Sequence, residues 1–266
     1  MKIIVCVKQV PDTSGKVAVN PDGTLNRASM AAITNPDDLN AVEAALVLKE
    51  QTGAEVVVVS MGPPPAEGML REIIARGVDR AVLISGREFG GSDTYATSQI
   101  IAAAINKIGL DEDDMVFCGR QAIDGDTAQV GPQIAEKLGI PQVSYAAEIT
   151  KEGKTLTIKR MLEDGYMTIK VKTPCLITCI KELNTPRYMS VGGIFECYEK
   201  PYEVLDYNAL KDDPLIDPAT IGLKGSPTNI LTSFTPPQKG AGMMLEGADK
   251  ETCEKLAGIL AAKHLI

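Results

Sequence analysis

The sequence predicts an α/β fold: an open, mainly parallel sheet flanked by helices, with added antiparallel strands and an extended C-terminal arm. Short β-branched runs alternate with helical periods in the first half, a two-residue alternation sets in beyond Pro141, and Pro and Gly crowd the chain after Lys181. The first strands are "KIIVCV", "EVVVVS", "AVLIS" and "DMVFCG". Their near-continuous Val and Ile suit a sheet covered on both faces. Helical patterns follow at "DDLNAVEAALVLKE", "AEGMLREIIARG", "TYATSQIIAAAINKIG" and "QIAEKLG", an alternation that builds right-handed βαβ units. The stretch "SYAAEITKEGKTLTIKRMLEDGYMTIKVKTPCLITCI" contains "EGK" and "EDG" turns, so antiparallel strands join the sheet. Beyond Lys181 long apolar periods are few until "DKETCEKLAGILAAKHL", and so long an irregular segment reads as a functional arm. The chain thus divides into residues 1–180, a nucleotide-binding α/β domain, and 181–266, an arm with a closing helix.

Composition narrows the function. Hydrophobic residues form 44% of the 266, enough for a sizeable core. No apolar run approaches the roughly 20 residues of a membrane span and no cationic leader is present, so a cytoplasmic protein is expected. A net charge of -8 without clustered Lys and Arg argues against nucleic acid. The six cysteines form no C-x-x-C pair and His264 is the single histidine, so a zinc site and a histidine-activated nucleophile both lack their residues. The cysteines read as small apolar core residues. The acidic "DEDD" at 111–114 reads as a solvated loop.

Open parallel sheets bind ligands beyond the carboxyl ends of their strands. Four loops leave those ends: "CVKQVPD", "SMGPPP", "GREFGGSDTYATS" and "CGRQAIDGDTAQVGP". Their Gly and hydroxyl residues let backbone N–H groups near a ligand, and the last three lead into helix N-termini, where the dipole favours anions. An anionic nucleotide is the expected guest. The fourth loop nevertheless holds two acids. Asp126 suits the N-cap of the following helix, leaving later amides and the Thr127 and Gln129 side chains for a ligand, while Asp124 suits a ribose or backbone donor. Pro132 belongs in a first turn, which places the helix start between Asp126 and Gly131, and Gly131 is expected where backbone approaches the ligand. Asn35-Pro36 reads as an N-cap and first-turn pair. Neither G-x-G-x-x-G after the first strand nor G-x-x-x-x-G-K-[ST] occurs, so neither a Rossmann dinucleotide fold nor a P-loop is supported.

"VKQVPD", "NPDDLNAVEAAL", "VSMGP", "GRQAIDGDTAQVGPQIA" and "LNTPRY" occur in an order that resembles the β subunit of electron transfer flavoproteins, over nearly the whole chain. That resemblance implies an adenine nucleotide alpha hydrolase-like sheet holding a nucleotide, a heterodimer with an α subunit, and an arm that embraces this subunit and touches an acyl-CoA dehydrogenase or reductase. In that family respiratory carriers keep AMP in this subunit, whereas electron-bifurcating members hold a second FAD. "GGSDTYATS", "DGDTAQVGP" and "IGLKGSPT" resemble the bifurcating form, and Thr13 stands where carriers commonly have Tyr. The expected cofactor is therefore FAD, with AMP as the alternative. The resemblance implies that NADH delivers hydride to this FAD, with one electron passing to ferredoxin or flavodoxin and one through the α-subunit FAD to the dehydrogenase, a chemistry of anaerobic metabolism. No side chain is expected to be catalytic, because the flavin carries the chemistry.

By family match Cys6, Val7 and Lys8, then Asn35 and Asp38, then Ser60, Met61 and Gly62, and then Gly91, Thr94 and Thr97 contact the nucleotide or its flavin. The fourth loop adds Cys118, Gly119, Arg120, Gln121, Asp124, Gly125 and Asp126, continuing through Thr127, Ala128, Gln129, Val130, Gly131 and Pro132. On the arm, Val191 matches the aliphatic anchor that enters a dehydrogenase pocket, with Ile194 and Phe195 beside it.

Overall fold

The computed structural model describes residues 1–12, 31–228, 231 and 240–266; Thr13 lies outside them. Strand β1 (Lys2–Cys6) opens the chain, and β2 (Gln9–Pro11) pairs antiparallel with β3 (Ala32–Thr34) as a separate ribbon. Then come helix α1 (Pro36–Thr52), β4 (Glu55–Met61), α2 (Glu67–Ala75), β5 (Arg80–Ile84), α3 (Thr94–Ile108), β6 (Met115–Gly119) and α4 (Val130–Leu138). All four expected strands and four expected helices of the first half are present, and α4 begins within the window that Pro132 requires.

The next strands are β7 (Gln142–Glu152), β8 (Thr155–Met161), β9 (Tyr166–Lys172) and β10 (Cys175–Cys179). Of these, β7, β8 and β9 form the expected antiparallel meander. By contrast β10, which the same alternating texture covers, runs parallel to both its neighbours, β6 and β7. Beyond it lie α5 (Val191–Glu196), β11 (Tyr202–Leu205), α6 (Tyr207–Leu210) and α7 (Gly222–Gly225). Among the described residues the main sheet has nine strands in the order β11-β5-β4-β1-β6-β10-β7-β8-β9.

Alternate residues of the central strands feed two cores. Ile3 and Val5 of β1 join Val56 and Val58 of β4 beneath α1 and α2, whereas Ile4, Val57 and Val59 face Ile100, Ile105 and Ile134 of α3 and α4. Burial on both sides is why these strands read as runs of Val and Ile. Five of the six cysteines are buried free thiols and Cys253 is exposed.

The 111–114 acids are not uniformly solvated. Asp114 is fully buried, accepting the Lys2 and Asp111 backbone N–H groups and pairing with the Lys2 ammonium at 2.9 Å. It fastens the start of β1 beside the start of β6, a tertiary partnership that local sequence does not reveal.

The chain forms two units, one holding the sheet with α1 to α7 and the other holding α8 (Lys250–Ala262). Asp249 caps α8 by accepting the Thr252 N–H at 2.8 Å, and no α8 side chain is buried. Among the described residues no helix is long and apolar enough to cross a membrane.

Candidate functional site

The carboxyl ends of β1 and β6 lie side by side, and the first turn of α1 sits across them. Asp38 Oδ2 accepts the Lys8 N–H at 2.8 Å and Oδ1 accepts the Gly119 N–H at 3.0 Å. Asn35 donates from Nδ2 to the Gln121 carbonyl at 2.8 Å and accepts the Ile123 N–H at 3.1 Å, and Asp37 pairs with Arg120 at 3.2 Å. Asn35 thus occupies the N-cap position while its side chain holds the loop after β6 rather than the helix. A Cβ on Gly119 would lie 2.3 Å from Asp38 Oδ1, so only glycine permits this close approach. Burial pushes the Asp38 carboxyl up to about 7, against the lowering effect of hydrogen bonds from Asn35, Lys8 and Gly119.

Two further acids of the site are also engaged by the chain. Asp124 receives the Lys8 ammonium on both oxygens, at 2.7 and 2.8 Å, and so screens a cation at the mouth of the site. Asp126 does not cap α4: it stands at φ 50° and accepts from Gln121 Nε2 at 2.8 Å, while Gln129 holds the cap position without a side-chain cap bond. Asp126 lies three positions before Gln129, the residue at the cap position, and its carboxylate is spent within the loop. Gly131 is also constrained by packing within the chain. A Cβ there would meet Thr178 Cγ2 at 2.8 Å, so its smallness seats α4 against β10.

What the loop leaves free suits an anion. Ala128, at φ 52°, is followed by Gln129 in the right-handed helical region, a pairing that makes an amide concavity. The Thr127, Ala128 and Gln129 amides and the Thr127 hydroxyl form no hydrogen bond among the described residues. Behind them Cys6 and Cys118, partners in register on β1 and β6, are buried, as is Val7. Val130 packs against the α3/α4 core, with Gly125 exposed in the loop and Pro132 in the first turn of α4.

The loop after β5 is bound to a distant segment. Asp93 caps α3 through the Ala96 N–H at 3.0 Å and also accepts the Thr228 N–H at 2.9 Å. Its N–H donates to Ser226 Oγ at 2.8 Å, Leu223 N–H donates to the Gly90 carbonyl at 3.0 Å, and Gly222 N–H donates to Ser92 Oγ at 3.1 Å. Burial works to raise the Asp93 carboxyl, but the Ala96 and Thr228 hydrogen bonds prevail and hold it below the usual range. Thr94 Oγ1 donates to Gln129 Oε1 at 3.0 Å, joining this loop to the fourth, and Thr97 N–H bonds the Asp93 carbonyl. Asp93 and Ser226 were missing from the sequence-derived site, although an Asp before a helical period is itself a cap signal.

Past β4 and β5 a cleft of about 590 Å³ is lined by Met61, Gly62, Pro63, Ser85, Phe89 and Gly91, among others. Its volume falls within the range of small-molecule sites. Ser60, at the end of β4, is 1% exposed, and its hydroxyl has no hydrogen-bond partner among the described residues. An orphaned hydroxyl, free amides and a glycine-lined cleft fit a nucleotide carrying a flat ring. On the arm, Val191, Ile194 and Phe195 are 75%, 47% and 77% exposed on α5.

Comparison with known proteins agrees with this architecture. The electron transfer flavoprotein domain pattern matches residues 22–205. The chain is 72% identical to the acryloyl-CoA reductase electron transfer subunit gamma of Anaerotignum propionicum, over 100% of both chains. It is 50% identical to subunit CarD of the caffeyl-CoA reductase-Etf complex of Acetobacterium woodii, again with 100% of each covered. Identity to the electron transfer flavoprotein subunit beta of Clostridium acetobutylicum is 52%, with the same coverage. The family match and the relatives together identify the chain as a member of the electron transfer flavoprotein family, among its β subunits.

Proposed function

We propose that this chain holds FAD within a heterodimer with an electron transfer flavoprotein α subunit, takes hydride from NADH, and sends one electron to ferredoxin or flavodoxin and the other toward an acyl-CoA reductase. The observation that carries this reading is the fastening of 90–93 to 222–228. Both segments resemble the bifurcating form, and Gly90, Gly91 and Ser92 of the first line the cleft beyond β4 and β5. Acyl-CoA chemistry is proposed from the names of the acryloyl-CoA and caffeyl-CoA reductase relatives.

FAD, when bound, supplies hydride acceptance and single-electron release. The chain supplies the binding. The Thr127 to Gln129 amides and the α4 N-terminus receive phosphate, with Lys8 as a cation that Asp124 keeps in position. Ser60 offers its buried hydroxyl, and the cleft around Met61, Gly62 and Phe89 offers an apolar surface to the ring. On this reading the exposed face of α5 meets the reductase, and α8 and the arm meet the α subunit. On this reading residues 1–180, with 222–228 fastened to them, hold the nucleotide, and the remainder of 181–266 makes the partner contacts.

Anaerobic mixing of the heterodimer with NADH, ferredoxin, acyl-CoA and the reductase tests the proposal. Ferredoxin reduction that requires acyl-CoA is the expected result; equal reduction without acyl-CoA, or none with it, rejects electron bifurcation.

A further inference from the structure

Helix α5 is six residues long and buries none of its side chains, so neither propensity nor apolar packing holds it in place. Polar fastenings at its flanks do. Arg187 donates from Nε to Glu43 Oε2 at 2.8 Å, from a terminal nitrogen to Glu43 Oε1 at 2.9 Å, and from its backbone N–H to Glu43 Oε2 at 3.0 Å. Its other terminal nitrogen reaches Glu50, and its carbonyl accepts from Arg76. Asn40 and Asn184 exchange side-chain to backbone hydrogen bonds at 2.8 and 2.9 Å. After the helix, Arg71 donates to the Cys197 carbonyl at 2.8 Å and lies 5.3 and 4.7 Å from the Tyr198 and Tyr202 rings. A Cβ on Gly193 would lie 2.2 Å from the Ala75 carbonyl, so the α5 backbone rests directly on the end of α2.

We propose that Glu43 and Arg187 are positioning residues for reductase docking: their two-pronged pair on α1 sets where α5 presents Val191 and Phe195. This rests on the reading that the exposed α5 face is the docking surface. A planar guanidinium held by both carboxylate oxygens fixes direction as well as distance, which a lysine at the same position does not reproduce. Glu43 is buried on α1, so thermal unfolding of each variant shows whether the change stays at the root of α5 or reaches the fold.

The test uses the cofactor-loaded heterodimer carrying Glu43→Gln, Arg187→Lys, the double change, or Val191→Ala, titrated with the acyl-CoA reductase. Flavin reduction by NADH and thermal unfolding are recorded on the same preparations. Glu43→Gln and Arg187→Lys should each raise the KM for the reductase about tenfold with kcat retained, corresponding to about 1.4 kcal/mol of docking free energy. The double variant should be no worse than the weaker single one, as expected of two residues acting as a pair. NADH reduction should be unchanged in these three. If Val191→Ala raises KM while Glu43→Gln and Arg187→Lys do not, the positioning role is rejected and the docking surface stands. If Val191→Ala leaves KM unchanged, both are rejected. A fall in kcat with loss of cofactor or of the α subunit in the Glu43 and Arg187 variants also rejects the proposal, since it marks a general structural role.

Discussion

Asp38 Oδ1 accepts the backbone N–H of Gly119 at 3.0 Å, joining the first turn of α1 to the end of β6 across 81 positions of sequence. Its second oxygen holds Lys8 N–H at 2.8 Å, so one carboxylate brackets the ends of two neighbouring strands. Replacing Gly119 with Ala puts a methyl group 2.3 Å from that oxygen and 2.6 Å from the Asp38 nitrogen. The backbone must move, and urea unfolding should show a loss of about 1–3 kcal/mol. Unchanged stability would contradict the bracket.

Asp38 also predicts a pH dependence. Its folded value, about 7, lies above the ordinary 3.8, so the folded chain binds this proton more tightly than the unfolded chain. The resulting stabilisation is full below 3.8 and is lost as pH rises through about 7. Urea unfolding of the wild type and Asp38→Asn from acid to mildly alkaline pH should therefore show the wild type's relative stability falling across that window. A difference independent of pH would refute the burial argument.

Asp114 carries the opposite sign. Burial raises its carboxyl, but the Asp111 and Lys2 N–H groups and the Lys2 ammonium overcome this and hold it below 3.8. Its stabilisation is present above 3.8 and is lost as pH falls through the depressed value. Asp114→Asn should cost about 1–3 kcal/mol at neutral pH, and the gap should close in acid. Chemical unfolding at both pH values checks this.

Ser60 separates folding from binding. Its buried hydroxyl has no partner among the described residues, so Ser60→Ala should leave the ligand-free chain as stable or slightly more so. If the hydroxyl meets the nucleotide, affinity should fall by about 0.5–1.5 kcal/mol. Calorimetry with FAD and thermal unfolding without it read the two effects separately; a destabilised apo form with unaltered affinity would exclude the ligand role.

Gly131 and Thr178 separate packing from ligand contact as the reason for glycine in the fourth loop. Gly131→Ala should destabilise the fold by about 1–3 kcal/mol through contact with Thr178 Cγ2. Thr178→Ser removes that methyl while keeping the hydroxyl that accepts Tyr145 N–H, and should restore part of the loss in the double variant. Absence of rescue would point to backbone contact with ligand as the reason for glycine.

The parallel strands and their helices were legible because burial on two faces and helical periodicity are local signals. Side-chain partners are not. The Asp114 role depends on Lys2, 112 positions away, and nothing in "DEDD" distinguishes its last acid from the first three. Asp126 met every local criterion for a helix cap, yet Gln121, five positions before it, engages its carboxylate. Alternation along "CLITC" indicated a strand without naming its neighbours, so its parallel pairing stayed hidden. The ribbon of β2 and β3 has three residues per strand, too few for any period to register. The carboxyl-edge loops were legible as a group, because their order along the chain fixes their edge of the sheet.

The claim that this subunit holds flavin is tested most directly by extracting the cofactors from purified heterodimer and counting them. Two FAD per heterodimer and no AMP is the predicted result; one FAD with one AMP would contradict it.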